Sequence, residues 1–508
     1  MQQVNGGFAQ KKVGAIQRIG MALGVVLVCC GLASSQTWVT MNTGKAPPFN
    51  VGVALQLTDG RILVQENGTS NWWTLTADKS GLYRNGTWKK VASFPAAMNY
   101  VPLYFTSAVL PDGRVIVEGG EYNNGVQDWT NKGAIYDPVK NTWTEVKPPS
   151  GWTQIGDAQS VVLPNGTFMM ANINNGETAL LNAKTLTWTV TPGTGKNDVN
   201  DEEGWTLLPD GKVLTVDTYV FLNDPSGMNS EIYDPSTQAW TSAGSTKAQL
   251  WDSRAGCGGK NPSNEIGPGV LMLDGRVFYL GANTCGVAGH TAFYDTTTGT
   301  WSKGPNIPGV NDVADGPAAV LPNGHVLVDT NPGYGISPST FYSFNGSGWN
   351  TIPQPTGLTS SNTEGHRLLM TAAGTVLFTH VGNPEMWFFV PVAGFDSAAQ
   401  PVITSLPSTV TRGKTYTVGG TQLNGITQGA MFGDDAQSAT NYPLVLITNN
   451  STGHKFYART HGFSTMSIAP GKASTAKFDV PAGMETGGST LQVIANGIAS
   501  AALAITVN

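Results

Sequence analysis

The chain has 508 residues, which is too long for one ordinary hydrophobic core and suggests two to four domains. Charged residues make up only 12%, glycine reaches 63 and the formal net charge is -6. This composition fits short strands joined by tight turns. No basic block or stripe is visible, which argues against a nucleic-acid partner.

A secretory signal peptide is predicted over residues 1–35. Basic residues near Lys11 precede a short apolar run over 21–32, and Ala33-Ser34-Ser35 follows as a small-residue cleavage site. The run is too short to favour a membrane span, and no other apolar run in the mature chain approaches one. We therefore expect a secreted or periplasmic protein, monomeric and without a transmembrane segment.

A turn motif recurs at a period of roughly 50 residues, which is the period of kelch repeats. In it, Asp-Gly or Asn-Gly stands between two apolar runs, as in Leu110-Pro111-Asp112-Gly113 before Arg114-Val115-Ile116-Val117. This dipeptide is the strongest short hairpin signal, because Asn, Asp and Gly tolerate the positive φ of a tight turn. The turn glycines are Gly60, Gly113, Gly166, Gly211, Gly275, Gly324 and, in a degraded form, Gly374.

The second half of each unit carries a tyrosine followed by a tryptophan. Tyr136-Asp137-Pro138, for example, leads to Trp143. Each unit therefore has the pattern of four antiparallel strands, one propeller blade, with the tryptophan packed between neighbouring blades. The seventh unit lacks its fourth strand, but Gln36-Thr37-Trp38-Val39-Thr40 has that strand's pattern. We predict an all-β, seven-bladed kelch-type β-propeller over 36–396, closed by this N-terminal strand.

A second domain is predicted over residues 397–508. After Pro391 the composition shifts to Ala, Ser, Thr and Val. Short apolar runs such as Thr415-Tyr416-Thr417-Val418 and Leu491-Gln492-Val493-Ile494 are spaced like the strands of an immunoglobulin-like β-sandwich of about 100 residues.

A kelch propeller followed by such a sandwich in an exported chain resembles the galactose oxidase-like superfamily over nearly all of the mature chain. The resemblance to its copper-radical members implies an axial copper held by two tyrosines and two histidines, with one tyrosine bonded to a cysteine. Here Thr363-Glu364-Gly365-His366-Arg367 offers a histidine without the expected tyrosine, and the loop around His461 resembles the family's histidine-bearing sandwich loop. Without a Tyr–Cys pair, a copper-radical cofactor is not expected.

Acidic residues recur just before the first strand of five units, eight to ten positions before the turn glycine. They would surround the mouth of the central channel, where a ring of oxygen ligands would suit Ca²⁺, a cationic ligand or a polyhydroxyl ligand. Adding His366 and His461 would suit a transition metal. The alternative interpretation is solvated loop residues that cap turns. The acidic residues are Asp157, Asp201, Glu202, Glu203, Glu265, Asp315 and Glu364.

The long connection between the fourth and fifth blades offers Trp251 and Arg254 as candidate ligand contacts, with rim packing and a surface ion pair as the alternative. The mature chain keeps only Cys257 and Cys285. Two cysteines in an exported protein are most often joined, so a disulfide at the rim is predicted, with two buried thiols as the alternative.

The leading functional hypothesis is a non-catalytic exported protein that binds a carbohydrate or an extracellular protein at the channel mouth. A metal-dependent, galactose oxidase-like oxidoreductase using His366, His461 and the carboxylates is the second hypothesis. A structural or interaction module of the cell envelope is the third. No Gly-x-Ser-x-Gly motif, metalloprotease helix or phosphate loop occurs in the sequence.

Overall fold

The computed structural model describes residues 36–219, 228–252, 263–282, 287–435 and 438–508. The predicted signal peptide lies outside the described residues, as do Arg254, Cys257 and Cys285. The chain from residue 35 onwards forms one compact unit. Within the described ranges, no helix is both long and apolar enough to cross a membrane. The 3₁₀ turns are Tyr83–Asn85, Ala96–Met98 and Ser397–Ala399.

Within the described residues, thirty-one strands alternate with short connections from residue 37 to residue 390. They are Thr37–Thr40 (β1), Val51–Gln56 (β2), Ile62–Glu66 (β3), Trp72–Thr76 (β4), Thr87–Lys90 (β5), Pro102–Leu103 (β6), Thr106–Val109 (β7), Val115–Glu118 (β8), Tyr122–Asn123 (β9), Val126–Gln127 (β10), Gly133–Asp137 (β11), Thr142–Val146 (β12), Ser160–Val162 (β13), Phe168–Ala171 (β14), Thr178–Asn182 (β15), Thr187–Thr191 (β16), Thr206–Leu207 (β17), Val213–Val216 (β18), Ser230–Asp234 (β19), Ala239–Ser242 (β20), Gly269–Leu271 (β21), Arg276–Leu280 (β22), Thr291–Asp295 (β23), Thr300–Lys303 (β24), Ala318–Val320 (β25), Val326–Thr330 (β26), Thr340–Phe344 (β27), Trp349–Ile352 (β28), His366–Met370 (β29), Val376–His380 (β30) and Met386–Val390 (β31).

Most of these strands form antiparallel sheets of four, each of which we call a blade and number in chain order. Their orders are β2-β3-β4-β5, β7-β8-β11-β12, β13-β14-β15-β16, β17-β18-β19-β20, β21-β22-β23-β24, β25-β26-β27-β28 and β29-β30-β31-β1. The short strands β6, β9 and β10 form a separate small sheet. The first strands of most successive blades lie side by side, and β29 of the last blade lies beside β2 of the first. This is the organisation of a β-propeller.

The repeated Asp-Gly and Asn-Gly pairs form the turn between the first two strands of a blade. In blade two, the Asp112 carboxylate accepts a hydrogen bond from the Arg114 amide at 3.1 Å. Gly113 has a φ of 84°, in the left-handed region that glycine adopts at the least cost. The local chemistry of this turn therefore explains why the dipeptide recurs in the sequence.

Repeated tryptophans join neighbouring blades through their indole nitrogens. Trp143 of blade two donates to the Ala92 carbonyl after blade one at 2.9 Å, and Trp188 of blade three donates to the Lys147 carbonyl after blade two at 2.8 Å. The predicted packing role of these tryptophans is confirmed at both positions. Their rings exclude water between blades while their polar N–H groups remain paired.

The N-terminal strand supplies the fourth strand of the last blade. Trp38 on β1 lies opposite Phe389 on β31 in an antiparallel register. Its ring lies 4.9 to 5.6 Å from the rings of Phe341, Phe378 and Phe389, and its indole N–H donates to the Pro353 carbonyl at 2.8 Å. Trp38 therefore joins the two ends of the ring and also the last two blades.

The remaining strands are Val402–Ser405 (β32), Thr409–Val410 (β33), Thr415–Thr421 (β34), Ala430–Met431 (β35), Leu444–Asn449 (β36), Lys455–His461 (β37), Ala473–Asp479 (β38), Gly487–Ala495 (β39), Ile498–Ala499 (β40) and Leu503–Val507 (β41). All except β35 pair in the order β32-β34-β38-β37-β36-β39-β41-β33, with β40 beside β39. Val418, Phe478, Val445 and Ile505, from different parts of that order, share one buried core.

Strand β35 lies apart from that sheet, inside the ring. We call residues 424–435 the channel segment. Strand β35 pairs with β25, the first strand of blade six, and the Gln428 side chain accepts a hydrogen bond from the Leu207 amide of blade four at 2.8 Å. The segment carries Asp434 and Asp435 to the end of the channel where the first strands begin, which we call the mouth.

Removal of residues 36–42 is expected to lower the thermal unfolding midpoint of the whole described fold, because it exposes the edge of β31. Trp38→Ala tests the same contact by removing a large aromatic side chain, a change that lowers the free energy of unfolding by roughly 3 kcal/mol. Scanning calorimetry provides the measurement, and Thr37→Ala at an exposed position of the same strand is the control. An unchanged midpoint after the deletion would contradict the proposed closure.

Candidate functional site

A cavity of about 540 Å³ lies at the channel mouth. We call it the acidic cavity, because eight carboxylates line it together with the aromatic rings of Tyr104 and Tyr334. The carboxylates belong to Glu121, Asp157, Glu202, Glu265, Asp315, Glu364, Asp434 and Asp435.

Five of these carboxylates are those that the sequence pattern places at the mouth. Each one precedes the first strand of its blade, which is β13, β17, β21, β25 or β29. Since these strands surround the channel, the residues just before them converge on its end. The structure thus brings Asp157, Glu202, Glu265, Asp315 and Glu364 together around one cavity. Asp201 precedes Glu202 in the same turn, whereas Glu203 points into a separate cluster.

Three carboxylates of the cavity escape the sequence pattern. Glu121 follows the second strand of blade two, so its distance from the turn glycine differs from that of the others. Asp434 and Asp435 come from the channel segment, far along the chain. The adjacent acidic pair in a stretch of low charge is a weak signal for function, but nothing local in the sequence indicates that this stretch enters the ring.

Burial and mutual repulsion raise the pKa values of the cavity carboxyls. The pKa of Glu202 lies well above its usual value because of burial first and the neighbouring Glu265 second. Burial and the same glutamate raise the pKa of Asp315 well above its usual range. The pKa values of Asp157, Glu265 and Asp434 are displaced in the same direction. A positive charge that entered the acidic cavity would oppose these shifts and favour the ionised carboxylates.

Three residues of the acidic cavity hold a left-handed backbone conformation, with φ values of 50° at Tyr104, 56° at Glu202 and 52° at Asp315. Such conformations are strained for residues with a side chain, and they concentrate at functional sites. The Tyr104 hydroxyl donates a hydrogen bond to the Glu364 carboxylate at 3.1 Å. The three residues with this strained backbone conformation therefore all present a polar side chain to the acidic cavity.

Arg367 secures the base of the acidic cavity. Its guanidinium lies 3.7 Å from the ring centroid of Phe432 and donates a hydrogen bond to Asp435 at 3.2 Å. It also donates to the Glu364 carbonyl at 2.7 Å. One buried side chain therefore ties blade seven to the channel segment and balances one of the eight carboxylates.

The structure does not bring His366 to the acidic cavity. Its ring is fully buried between blades six and seven. The Nδ1 atom lies 2.5 Å from the Asp329 carboxylate, and Nε2 lies 2.7 Å from the Ser361 hydroxyl. Both ring nitrogens thus have partners within the fold, away from the acidic cavity, and a metal-binding role of His366 stays a prediction.

His461 lies at the opposite end of the ring from the acidic cavity. It ends β37 and contacts the Asp479 carboxylate through Nε2 at 3.1 Å. The adjacent Thr460 donates its amide to the Thr58 carbonyl in the turn of blade one. The loop that resembles the family's histidine-bearing loop therefore packs on the turn end, and the channel segment occupies the axis instead.

Trp251 is buried, and its backbone bridges to Ile266. It is not among the described residues that line the acidic cavity, and its predicted role as a ligand contact stays a prediction. Arg254, Cys257 and Cys285 lie outside the described residues, and their predicted roles stay predictions.

The acidic cavity does not fit the copper-radical centre that the family resemblance implies. Its lining, as far as the structure describes it, is dominated by carboxylates and tyrosines and includes neither histidine nor cysteine. That chemistry needs imidazole ligands and a tyrosine modified by a cysteine, whereas oxygen-rich sites suit hard or organic cations.

A second acidic cluster lies within blade four and surrounds a buried lysine. The Lys196 ammonium contacts the carboxylates of Asp198, Glu203 at 2.6 Å and Glu231 at 2.8 Å. Burial alone would lower the pKa of Lys196, but Glu203, Asp198 and their neighbours raise it well above its usual value. The ammonium thus takes the place that a metal ion could have among Asp198, Glu203, Asp217 and Glu231.

Comparisons with known proteins support a kelch-type fold. A kelch-like protein, terF, from Aspergillus terreus (strain NIH 2624 / FGSC A1156) is 28% identical over 120 residues. The match covers 21% of this chain and a quarter of the length of that protein. The chain has a kelch-like β-propeller. No protein-family model matches it.

Two solved structures match the chain at low sequence identity. A fungal alcohol oxidase of the AA5 family in complex with copper is 15% identical, with a TM-score of 0.49 over 94% of this chain and 100% of its own. An inactive virginiamycin B lyase from Staphylococcus aureus with quinupristin is 10% identical, with a TM-score of 0.44 over 70% of this chain and 99% of its own.

Replacing the buried lysine by Lys196→Met is expected to reduce the free energy of unfolding by about 3–5 kcal/mol, because it leaves buried carboxylates without their counter-charge. The loss in free energy of unfolding relative to the wild type should grow as the pH rises. In this variant the carboxyl groups around residue 196 would have higher pKa values in the folded state than their values of about 4 in the unfolded state. The variant should therefore keep its stability below pH 4 and lose it as the pH rises through the folded-state pKa values. Even with Lys196 present, burial raises the pKa of Asp217 to about 8.

Urea unfolding at pH 4, 7 and 9 measures this dependence. Lys147→Met is the control, since that lysine side chain is 78% exposed and pairs only with Glu145 at the surface. If both variants lost the same free energy of unfolding, or if the loss in Lys196→Met did not depend on pH, Lys196 would not be the residue that stabilises the carboxylate cluster.

Proposed function

We propose that the chain is an exported protein with a seven-bladed propeller over 36–396 and an immunoglobulin-like sandwich over 397–508. We further propose that the acidic cavity binds a cationic organic group, an ammonium or guanidinium, without converting it. Support for the blade number comes from the succession of four-stranded sheets in which β29 lies beside β2. The shared core of the C-terminal strands supports the sandwich, and the N-terminal sequence supports export.

The observation that carries the binding proposal is the gathering of eight carboxylates around one cavity. Arg367 directly balances Asp435, but Asp157, Glu202, Glu265 and Asp315 have pKa values raised by burial and by neighbouring carboxylates. A cation entering this space would relieve that repulsion and favour the ionised forms. The buried carboxylates should therefore attract a cation more strongly than a ring of solvent-exposed carboxylates would.

The geometry favours an organic cation over a directly coordinated metal ion. In the part of the chain that the structure describes, only the carboxylates around Lys196 form a group with oxygens within 4.8 Å of one another. The carboxylates of the acidic cavity are instead distributed around a space of about 540 Å³. Tyr104 and Tyr334 add aromatic faces, which attract ammonium and guanidinium groups through cation–π interactions.

An extracellular protein presenting lysine or arginine fits this chemistry better than a neutral carbohydrate. A sugar could accept and donate hydrogen bonds here, but it would leave the carboxylate repulsion uncompensated. Free polyamines share the chemistry of a basic protein side chain, so they serve as simple probes of the same site.

Spermine is expected to bind the purified mature protein with a stoichiometry of one, detectable by isothermal titration calorimetry, and to bind more weakly as salt is added. Asp315→Asn and Glu202→Gln should each weaken binding about tenfold, because each removes a charge from the wall. Glu145→Gln at an exposed position of blade two is the matched control. Binding that is equal in all variants would refute the assignment of the site.

Spermine binding should also strengthen as the pH rises, because the cation prefers ionised carboxylates whose pKa values are raised in the free protein. Affinity is therefore low near pH 4 and increases as these groups lose their protons. The heat of binding at pH 6, measured in two buffers of different ionisation enthalpy, should reveal net proton release. Absence of proton release would mean that the raised carboxyls are not the ones that contact the ligand.

Ca²⁺ provides the competing outcome, since carboxylate oxygens are also its preferred ligands. If the protein binds Ca²⁺ in the micromolar range and spermine only through displacement of Ca²⁺, the function is cation coordination rather than recognition of an organic base. If Ca²⁺ up to millimolar concentrations leaves spermine binding unchanged, the proposed function stands.

A further inference from the structure

Three side chains between blades six and seven have the arrangement of a hydrolase triad. The Ser361 hydroxyl lies 2.7 Å from Nε2 of His366, and Nδ1 of the same ring lies 2.5 Å from the Asp329 carboxylate. We propose that Ser361, His366 and Asp329 form a nucleophilic site for short-chain carboxylic esters. This inference is independent of cation binding in the acidic cavity.

The burial of the three side chains matches the roles they would have. Asp329 and His366 are fully buried, whereas Ser361 is partly exposed. A buried carboxylate can fix the ring tautomer with a proton on Nδ1, which leaves the Nε2 lone pair facing the hydroxyl. The His366 ring is also held by the edge of Phe378 at 4.9 Å and by His380 at 5.0 Å. The base is thus oriented by packing as well as by its hydrogen bonds.

Ser361 lines a second cavity, separate from the acidic one. We call this space of about 280 Å³ the serine cavity, and its wall includes Pro338, Gln354 and Leu358. Apolar surface from the proline and leucine suits an acyl chain, and the small volume limits that chain to a few carbons. Neighbouring backbone fixes the serine, since the Ser339 amide donates to the Ser361 carbonyl at 2.8 Å.

The order of the three residues along the chain is aspartate, serine, histidine, and no elbow motif surrounds the serine. Triads are recognised by geometry and not by sequence order, since unrelated folds place the same three groups in different orders. A merely structural network would satisfy the buried Asp329–His366 pair equally well. The Ser361 hydroxyl is partly exposed, lies on the wall of the serine cavity and contacts Nε2, and this combination is what distinguishes a nucleophile from such a network.

The reaction follows from this geometry. Ser361 Oγ attacks the ester carbonyl carbon, an Oγ–C bond forms, and His366 Nε2 takes the hydroxyl proton. The bond between that carbon and the leaving oxygen then breaks, and Nε2–H donates its proton to the departing alcohol. Water, activated by the same Nε2, attacks the acyl-serine, so that the Oγ–C bond breaks, the acid leaves and the serine regains its proton.

A fluorophosphonate probe tests the nucleophile without knowledge of the natural ester. Oγ of Ser361 should form a bond to phosphorus as fluoride leaves and His366 takes the proton. Intact mass spectrometry of the purified mature protein should then give one adduct per chain, and fragmentation should locate it on Ser361. Ser361→Ala should abolish the adduct, whereas Ser302→Ala, at an exposed serine of blade five away from the serine cavity, should retain it.

Asp329→Asn tests the positioning residue. Labelling should slow by about 100-fold or more, the scale of a general base that has lost its orientation, while Ser361 remains the labelled residue. p-Nitrophenyl acetate should give a burst of one equivalent of p-nitrophenolate with wild-type protein and none with Ser361→Ala. Thermal unfolding of each variant establishes that it is folded. Absence of an adduct on folded wild-type protein, or an adduct that persists in Ser361→Ala, would overturn the proposal.

Discussion

The axis of the ring is the constraint on which the rest of the structure depends. First strands of the blades converge there, and they would surround an open channel if nothing filled it. The channel segment fills it, with β35 added as a strand beside β25 and Gln428 bonded to blade four. Because the same segment ends in Asp434 and Asp435, the packing that completes the interior also completes the acidic cavity.

Repulsion between carboxylates is neutralised in one of the two acidic clusters and remains largely unrelieved in the other. In blade four, Lys196 lies among four carboxylates and supplies the cation from within the chain. In the acidic cavity, Arg367 pairs with Asp435, and repulsion among the others appears as raised pKa values at Asp315 and Glu202. Glu203 belongs to the first cluster and Glu202 to the second. The buried lysine thus anchors the turn that presents a cavity carboxylate.

The interface between blades six and seven carries a different chemistry. Loops before β29 provide Glu364 to the acidic cavity and Ser361 to the serine cavity, only three positions apart. His366 lies in the strand that follows, and it faces Asp329 across the blade boundary rather than the channel. One loop therefore serves two spaces, with Glu364 on the acidic cavity and Ser361 on the serine cavity.

Sequence alone determined the local and repetitive part of this protein. Asp-Gly turns, the paired Tyr and Trp positions and the strand pattern of residues 36–40 follow from short-range chemistry, and the register of Asp157, Glu265 and Asp315 follows from the repeat. Only tertiary structure decided which distant groups join them. Asp434 reaches the axis through a segment whose sequence carries no signal for insertion, and the loop of His461 packs at the turn end instead. His366 could not be oriented from sequence, because its partners Asp329 and Ser361 depend on how two blades pack, and packing between distant segments leaves no periodic trace in the chain.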